Sequence, residues 1–357
     1  MSRYVIDGKK LDENIETIKK KAGTEIIGVV KGNGYGFGMS ELALILARHG
    51  IKCFAVTEIS DISELRQVLP EQDILVMRST CIKAECEEIA KHNATACIGS
   101  LDAAKVMNEV AKELGTKVKC NLKIDTGMGR YGFLPSEISK AVKCYEYENL
   151  EFTGAYTHFP TAFLNNGATK AQLEVFKDTM KKISEKVGDV GTLHCANSPA
   201  LFNFDGVSLD AVRIGSAFTG RLIAYKKTGL NRIGRLEAEI VDTKTVPKGY
   251  TISYGGAYTT KRETKIAVIP FGHYDGFGLT QEDEVHDFAS VLRAIKRMLK
   301  KERLTVTVNG KQYPIIGHIG LDHCTIDITD SDVKAGDTVV ADISPLLVNP
   351  RIERVFE

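Results

Sequence analysis

From about residue 10 the chain alternates short β-rich apolar runs with longer amphipathic stretches. The apolar runs are EIIGVV (25–30), CFAVT (53–57), DILVM (73–77), ATACI (94–98), VKCNLKI (118–124), FTGAYTH (152–158), GTLHC (191–195) and LDAVRI (209–214), eight in all. Runs this short and this rich in β-branched residues read as buried strands. Most segments between them read as helices. The clearest spans 169–187, where Leu173, Phe176, Met180, Ile183 and Val187 recur three or four apart and Lys177, Asp178, Lys181 and Glu185 fill the other face. Eight strands alternating with helices over about 200 residues predict an α/β domain, a TIM-like (β/α)8 barrel over 10–228. An open doubly wound sheet has the same local pattern, so strand count alone leaves it as an alternative.

After residue 228 the rhythm changes. LEAEIVDTKTV, YTISYG, TKIAVIP, RLTVTVNGKQYPIIGHIG and CTIDIT are strand-like, and Asn309-Gly310 is a hairpin signal. These runs predict a C-terminal mainly-β domain over 229–357, joined by residues 1–9. One helix is expected inside it, over 287–302, with Phe288, Val291, Leu292, Ile295 and Leu299 apolar. Its basic face would also suit a membrane surface, but packing on the β domain with solvated lysines is the favoured reading.

Composition narrows the function classes. Of 357 residues, 47 are Lys or Arg and 46 are Asp or Glu, a net charge of +1 that gives no reason to expect nucleic acid or an acidic membrane as partner. No run approaches the ~20 apolar residues needed to cross a bilayer. The first residues, MSRYVIDGKKLDENIE, lack the apolar core of a signal peptide. Eight scattered cysteines without a CxxC pair read as free thiols in a reducing cytosol, so a cytoplasmic location is expected. No metal site is expected. His318 and His323, five apart in a strand-like run, would face opposite ways, and no Cys/His cluster has zinc-ligand spacing.

The candidate chemistry begins at VVKGNGYGFG (29–38). Lys31 directly follows the first strand, at the end where barrel enzymes carry their catalytic groups. Glycines at 32, 34, 36 and 38 allow positive φ and close backbone approach, so the loop would cradle a phosphate. The spacing is neither a Walker loop nor a dinucleotide fingerprint. A lysine there is able to form a Schiff base with an aldehyde cofactor; an exposed lysine before a flexible turn is the alternative.

This segment resembles the lysine motif of alanine racemases. KIDTGMGRYGF (123–133), YTHFPTA (156–162), HCANSPA (194–200), DAVRIGSA (210–217), ISYGGAY (252–258) and GHIGLDHCTID (317–327) match further family motifs in order. The resemblance covers nearly the whole chain and implies a pyridoxal 5'-phosphate-dependent racemase of L- and D-alanine, a supplier of cell wall precursors, acting as a homodimer. In it Lys31 carries the cofactor and serves as one base, and Tyr254 from the partner subunit is the base on the opposite face. Two opposed bases suit a reaction that removes a proton from one face and returns it to the other. His158 lies beside the cofactor ring. Arg213 faces the ring nitrogen, and because arginine only donates, that nitrogen stays an acceptor. Tyr35, Ser198 and the amides of Gly215 and Ser216 hold the phosphate. Arg130 meets the substrate carboxylate. Lys123 matches a position often carbamylated to orient that arginine; an unmodified lysine with a carboxylate partner is the alternative. Leu321 and Asp322 match the segment lent to the partner's pocket.

The chain departs from the family pattern at the tail. SPLLVNPRIERVFE places Pro350, or Asn349 with a one-residue slip, where a pocket tyrosine is usual. His273 stands where a tyrosine is common, Leu321 where a methionine is, and the segment 280–301 is longer than typical. An opened or repolarised pocket would accept serine or larger side chains, the alternative to alanine. Two other readings are a barrel-type decarboxylase, which predicts an acidic partner for the ring nitrogen, and a non-catalytic cofactor carrier, which predicts no C-terminal β domain.

Overall fold

The computed structural model describes residues 2–164, 167–280, 291–292 and 304–357. The chain divides into two compact units, one of residues 9–232 and one of residues 1–8 with 233–357. After β1 (Arg3–Ile6), eight strands close a barrel: β2 (Glu25–Val29), β3 (Cys53–Val56), β4 (Asp73–Ser79), β5 (Thr95–Ile98), β6 (Val118–Lys123), β7 (Leu150–Tyr156), β8 (Thr192–His194) and β9 (Ala211–Ile214). All eight are parallel, and β9 returns to β2 with Arg213 opposite Ile27. The open-sheet alternative is excluded by that closure. Ile27, Val29, Ala55, Leu75 and Ala211 fill part of the interior, and Tyr35, Cys53 and Met77 pack against them.

Helices follow the strands on the outside. The longest among the described residues, Ala168–Val187, buries Leu173, Phe176, Met180 and Ile183 as its periodicity predicts. Each of these side chains contributes roughly 1.5–3 kcal/mol by leaving water. The first helix, Gly8–Ala22, buries Leu11, Ile15 and Ile18 and also Asn14. That asparagine is satisfied, donating to the carbonyls of Phe218 (2.9 Å) and Asn231 (2.8 Å) and accepting from the Asn231 amide (2.8 Å). All eight cysteines are free; six are buried and Cys81 is exposed.

The other unit is mainly β. It contains β10 (Gly234–Glu239), β11 (Asp242–Val246), β12 (Thr251–Ile252), β13 (Tyr258–Thr259), β14 (Thr264–Ile269), β15 (Thr305–Val308), β16 (Lys311–Pro314), β17 (Cys324–Asp327), β18 (Thr338–Ala341) and β19 (Glu353–Phe356). A six-stranded sheet runs β16-β15-β18-β10-β1-β19, a three-stranded sheet β11-β14-β17. The N-terminal strand thus belongs to this unit, antiparallel to β10 and parallel to β19. The Asn309-Gly310 hairpin forms between β15 and β16, both turn residues having positive φ.

Two expectations need correction. ISYG is not one strand: β12 ends at Ile252, Ser253 takes φ 67°, and Tyr254 starts a 3-10 turn. His318 and His323 are not in a strand either. They lie in the loop between β16 and β17, where Gly317 has φ 74°. The helix expected over 287–302 falls, apart from Val291 and Leu292, outside the described residues, as does nearly all of the long segment 280–301. Among the described residues no helix is long and apolar enough to cross a membrane.

Candidate active site

Lys31 lies two residues past β2, at the carboxyl-terminal mouth of the barrel. The chain then makes a turn of the opposite hand to an ordinary helix. Gly32, Asn33, Gly34, Tyr35 and Gly36 have φ of 60°, 52°, 61°, 57° and 85°. The Gly36 amide closes the turn on the Gly32 carbonyl at 3.0 Å. A left-handed conformation costs an L-residue about 1–2 kcal/mol, which the three glycines escape. Asn33 offsets part of its own cost by accepting the Met39 amide at 3.0 Å. Tyr35 carries the remaining strain, and the turn sends its hydroxyl back to the end of β9.

There Tyr35 hydrogen-bonds the Ser216 amide. A Cβ on Gly215 would sit 2.1 Å from its hydroxyl oxygen, so only glycine leaves room for it. Burial pushes the phenol up to about 12, with the Ser216 bond pulling the other way. The Oγ of Ser198 accepts the amides of Gly215 (3.1 Å) and Ala217 (3.3 Å). Three successive backbone amides and two hydroxyls therefore converge after the seventh and eighth barrel strands. Such a set of donors fits a phosphate.

The mouth is rich in cations. Arg213, buried, uses Nη1 on His194 Nδ1 (2.8 Å) and the His194 carbonyl (2.9 Å), and Nη2 on the carbonyls of Thr157 (2.7 Å) and Cys195 (3.2 Å). Its Nε bonds nothing among the described residues. Lys123 Nζ and Arg213 Cζ lie 4.7 and 4.9 Å from the Tyr156 ring centroid, cation–π contacts that partly offset their burial. Lys123 has no carboxylate partner among the described residues; its Nζ reaches the Ile124 carbonyl at 3.4 Å. Burial, then Arg213, lowers it to about 7. His158 is pushed down to about 2 by burial and then by Arg213, Lys123, Arg130 and Lys31. Lys31 is lowered by burial and by Arg130.

Arg130 is placed by Asp125. Burial raises that carboxyl, but the amides of Gly127, Gly129, Met128 and Arg130 outweigh burial and hold it below its usual range. The Asp125 oxygens accept Gly127 (2.9 Å), Met128 (2.7 Å) and Arg130 (3.1 Å), which folds the GMGR turn. The Arg130 guanidinium lies over the Tyr131 ring at 5.4 Å and has no ion pair among the described residues. A pocket with unpaired cations and an anion cradle is complementary to a ligand carrying a phosphate and a carboxylate.

The structure thus gathers Lys31, Tyr35, Lys123, Arg130, His158, Ser198, Arg213, Gly215 and Ser216 at one end of the barrel. Tyr254, Leu321 and Asp322 belong to the other unit. Tyr254 is 76% exposed and Leu321 63%. Their two loops meet: Ser253 Oγ donates to the His318 carbonyl at 2.8 Å, and a Cβ on Gly320 would lie 3.8 Å from the Tyr254 ring. Asn349 is held by the Tyr274 carbonyl at 3.1 Å, and Arg351 donates to the Tyr274 hydroxyl at 3.2 Å.

Sequence reasoning missed His194, Tyr156, Asp125 and Asn121. The first three lie inside or beside quoted motifs and were given no role. Asn121 had one readable signal, a polar residue in the strand run VKCNLKI.

The chain thus contains a closed barrel with a lysine after its first strand and a basic mouth, lined by backbone amides and hydroxyls, that is complementary to anionic groups. Family models described as the N-terminal and C-terminal domains of alanine racemase match residues 6–222 and 233–344. An alanine racemase of Clostridium novyi (strain NT) is 31% identical over 342 residues, covering 92% of this chain and 83% of its own. The solved alanine racemase of Clostridium difficile 630 superposes with TM-score 0.87 at 27% identity, over 100% of this chain and 95% of its own. The alanine racemase from Bartonella henselae with covalently bound pyridoxal phosphate shares the fold at TM-score 0.82 and 24% identity, over 100% of this chain and 99% of its own. The chain belongs to the alanine racemase family, whose members are isomerases dependent on pyridoxal phosphate.

Proposed function

We propose that the protein is a pyridoxal-phosphate-dependent racemase that interconverts L- and D-alanine as a homodimer with shared sites. The observation that carries this reading is the convergence at one mouth of a lysine whose pKa burial lowers, a cradle of amides and hydroxyls, and cations without ion pairs among the described residues. Bound there, pyridoxal phosphate would supply the electron-withdrawing ring that acidifies the α-proton of an amino acid. Tyr35, Ser198, Gly215 and Ser216 would hold its phosphate, and Lys31 its carbonyl carbon. The free Nε of Arg213 would donate to the ring nitrogen and keep it unprotonated, with His158 beside the ring.

Arg130 would take the substrate carboxylate. Lys31 Nζ would hold or release the proton on one face of the substrate Cα, and the Tyr254 hydroxyl of a second chain would do so on the other. The exposure of Tyr254 and Leu321 on one pair of touching loops supports a role at an interface. An amine lowered to about 7 reacts with carbon dioxide to give a carbamate and a proton, and the cations Arg130 and Arg213 would stabilise the carbamate on Lys123.

A pocket that accepts serine or longer side chains is the second reading, favoured by Asn349 and Pro350 in the tail. The decarboxylase reading needs an acidic residue opposite the ring nitrogen, the position this reading gives to Arg213. The test is α-proton exchange by NMR in D2O with pyridoxal phosphate and a panel of L-amino acids, with chiral chromatography on the same samples. Deuteration and D-enantiomer from alanine alone establish the first reading, and the same from serine or longer substrates the second. No exchange from any substrate overturns both.

A further inference from the structure

A second cavity, of about 280 Å³, opens at the amino-terminal mouth of the barrel, the end opposite Lys31. Its rim is made by the starts of successive strands. Glu25 begins β2, Lys52 precedes β3, Asp73 begins β4 and Lys119 is second in β6. Charge therefore alternates in sign over β2, β3 and β4 and again at β6, beyond the uncharged start of β5. Asp73 and Lys119 pair at 3.1 Å, whereas Glu25 and Lys52 have no side-chain partner among the described residues. Thr95 begins β5, between Asp73 and Lys119, and the remaining lining carries the hydroxyls of Thr153 in β7 and Thr192 in β8. Below the rim, Ile27, Leu75 and Ala211 make an apolar wall, and Asn121 and His194 a polar floor.

The floor is wired to Arg213. Arginine only donates, so His194 Nδ1 accepts from Arg213 Nη1 at 2.8 Å and the ring proton is on Nε2. Nε2 donates to Asn121 Oδ1 at 2.8 Å, and Asn121 Nδ2 donates to Thr153 Oγ1 at 3.2 Å. Every donor points the same way, from the Lys31 mouth toward the other. The last link, from the Thr153 hydroxyl to the Cys120 carbonyl, is 3.5 Å long and readily exchanged for a ligand acceptor.

We propose that this amino-terminal mouth is a second binding site for a small zwitterion of the free amino acid class, and that Thr153, Asn121 and His194 transmit its occupancy to Arg213. A singly charged ligand would meet a like charge one strand away. A zwitterion satisfies Lys52 with its carboxylate and Glu25 with its ammonium, and places a short side chain on the apolar wall. The cavity is smaller than the roughly 300–1,000 Å³ of sites for drug-sized ligands, which restricts it to small molecules. The site is separate from the pocket assigned to pyridoxal phosphate and stands whether or not the chain racemises alanine.

The test uses the full chain, 15N-labelled at histidine, with glycine betaine as the probe, a zwitterion whose quaternary nitrogen forms no covalent link to a carbonyl. The His194 signals are assigned by their loss in His194→Gln. The expected result is a saturable displacement of those signals. Lys52→Met, which removes a charged hydrogen bond to the carboxylate, and Glu25→Gln, which removes an ionic contact with the quaternary nitrogen, should each weaken binding about tenfold with unchanged circular dichroism. Thr153→Val should keep probe binding by calorimetry while His194 no longer responds. The proposal is overturned if betaine moves no His194 signal, if glycerol moves it as strongly, or if the rim substitutions leave the titration unchanged. A His194 response that survives Thr153→Val overturns the relay.

Discussion

Nη1 of Arg213 lies 2.8 Å from Nδ1 of His194 inside the barrel. A guanidinium has no lone pair to offer, so the imidazole is the acceptor and is neutral. Burial and the Arg213 charge push His194 well below its usual range, in the same direction. With both Nη atoms occupied, the guanidinium is fixed and Nε is left without a partner among the described residues, free for the ring nitrogen of the proposed cofactor. Arg213→Glu would place an acid opposite the ring nitrogen, favour its protonation and strengthen the ring as an electron sink. Racemisation should fall roughly a hundredfold or more, the scale of losing one preorganised donor. Pyruvate from alanine should appear as a transamination side product. The assay is chiral chromatography of alanine with enzymatic detection of pyruvate; loss of racemisation with no pyruvate would count against the ring-nitrogen role.

The barrel was legible because each of its eight strands is a short apolar run bounded by polar segments, a pattern that survives without tertiary information. The mirror-handed turn after Lys31 was legible only as permission, since glycines allow positive φ without requiring it. Tyr35 at φ 57° was not readable, because a tyrosine there is held by a distant partner, Ser216. Ser253 at φ 67° broke the expected strand before Tyr254 for the same kind of reason. Gly317 shows the cause: a Cβ there would lie 2.6 Å from the Ser253 Cβ, so the two loops fix each other. That Lys123 makes no ion pair with a carboxylate among the described residues depends on the register of neighbouring strands, and no single segment encodes it.

Stability should rise with pH across two windows. Lys123 falls from 10.5 in the unfolded chain to about 7 in the folded protein. Between those values the unfolded chain binds one more proton, so stability climbs as pH rises through the window. Below about 7 the folded protein bears the full cost of a buried ammonium. His158 falls from 6.5 to about 2, so stability drops as pH falls below 6.5 and the unfolded chain takes up the proton. In carbonate-free buffer, Lys123→Met should raise the unfolding temperature most below pH 7 and progressively less toward pH 10. Added 13C-bicarbonate should give wild type, but not Lys123→Met, a carbamate carbon signal. An unfolding-temperature difference that does not vary with pH would contradict the assigned shift.

Substitution of Gly215 would separate the proposed cofactor binding from folding. Its substitution by alanine puts a methyl group 2.1 Å from the Tyr35 hydroxyl oxygen, inside any tolerable contact. The ring must swing away and release the Ser216 amide, taking one donor out of the cradle. Phosphate binding relies on charge-assisted bonds worth about 1.5–3 kcal/mol each, so affinity for pyridoxal phosphate should fall about ten- to a hundredfold. Titration of the 5'-phosphate form against pyridoxal reads the effect. The preference for the phosphorylated form should shrink in Gly215→Ala, while Lys31 still reacts with both. An unchanged preference would place the phosphate elsewhere.

The proposal of a site shared between two chains makes a sharper prediction than any single substitution. Lys31→Ala removes the lysine of the barrel unit, and Tyr254→Phe removes a hydroxyl from an exposed turn of the β unit. Each should abolish most racemisation, Tyr254→Phe by about a hundred- to ten-thousandfold, the range of a lost general base. If each site takes Lys31 from one chain and Tyr254 from its partner, a mixed dimer of the two variants has one site with both lesions and one with neither. Random exchange of subunits makes half of the dimers mixed, so mixing the two inactive proteins should restore about a quarter of wild-type activity. The measurement is racemisation after co-dissociation and reassembly in equal amounts. Recovery near a quarter requires that the two residues act across chains, whereas no recovery, with mixed dimers confirmed by mass, would confine Lys31 and Tyr254 to one chain and sink the shared-site reading.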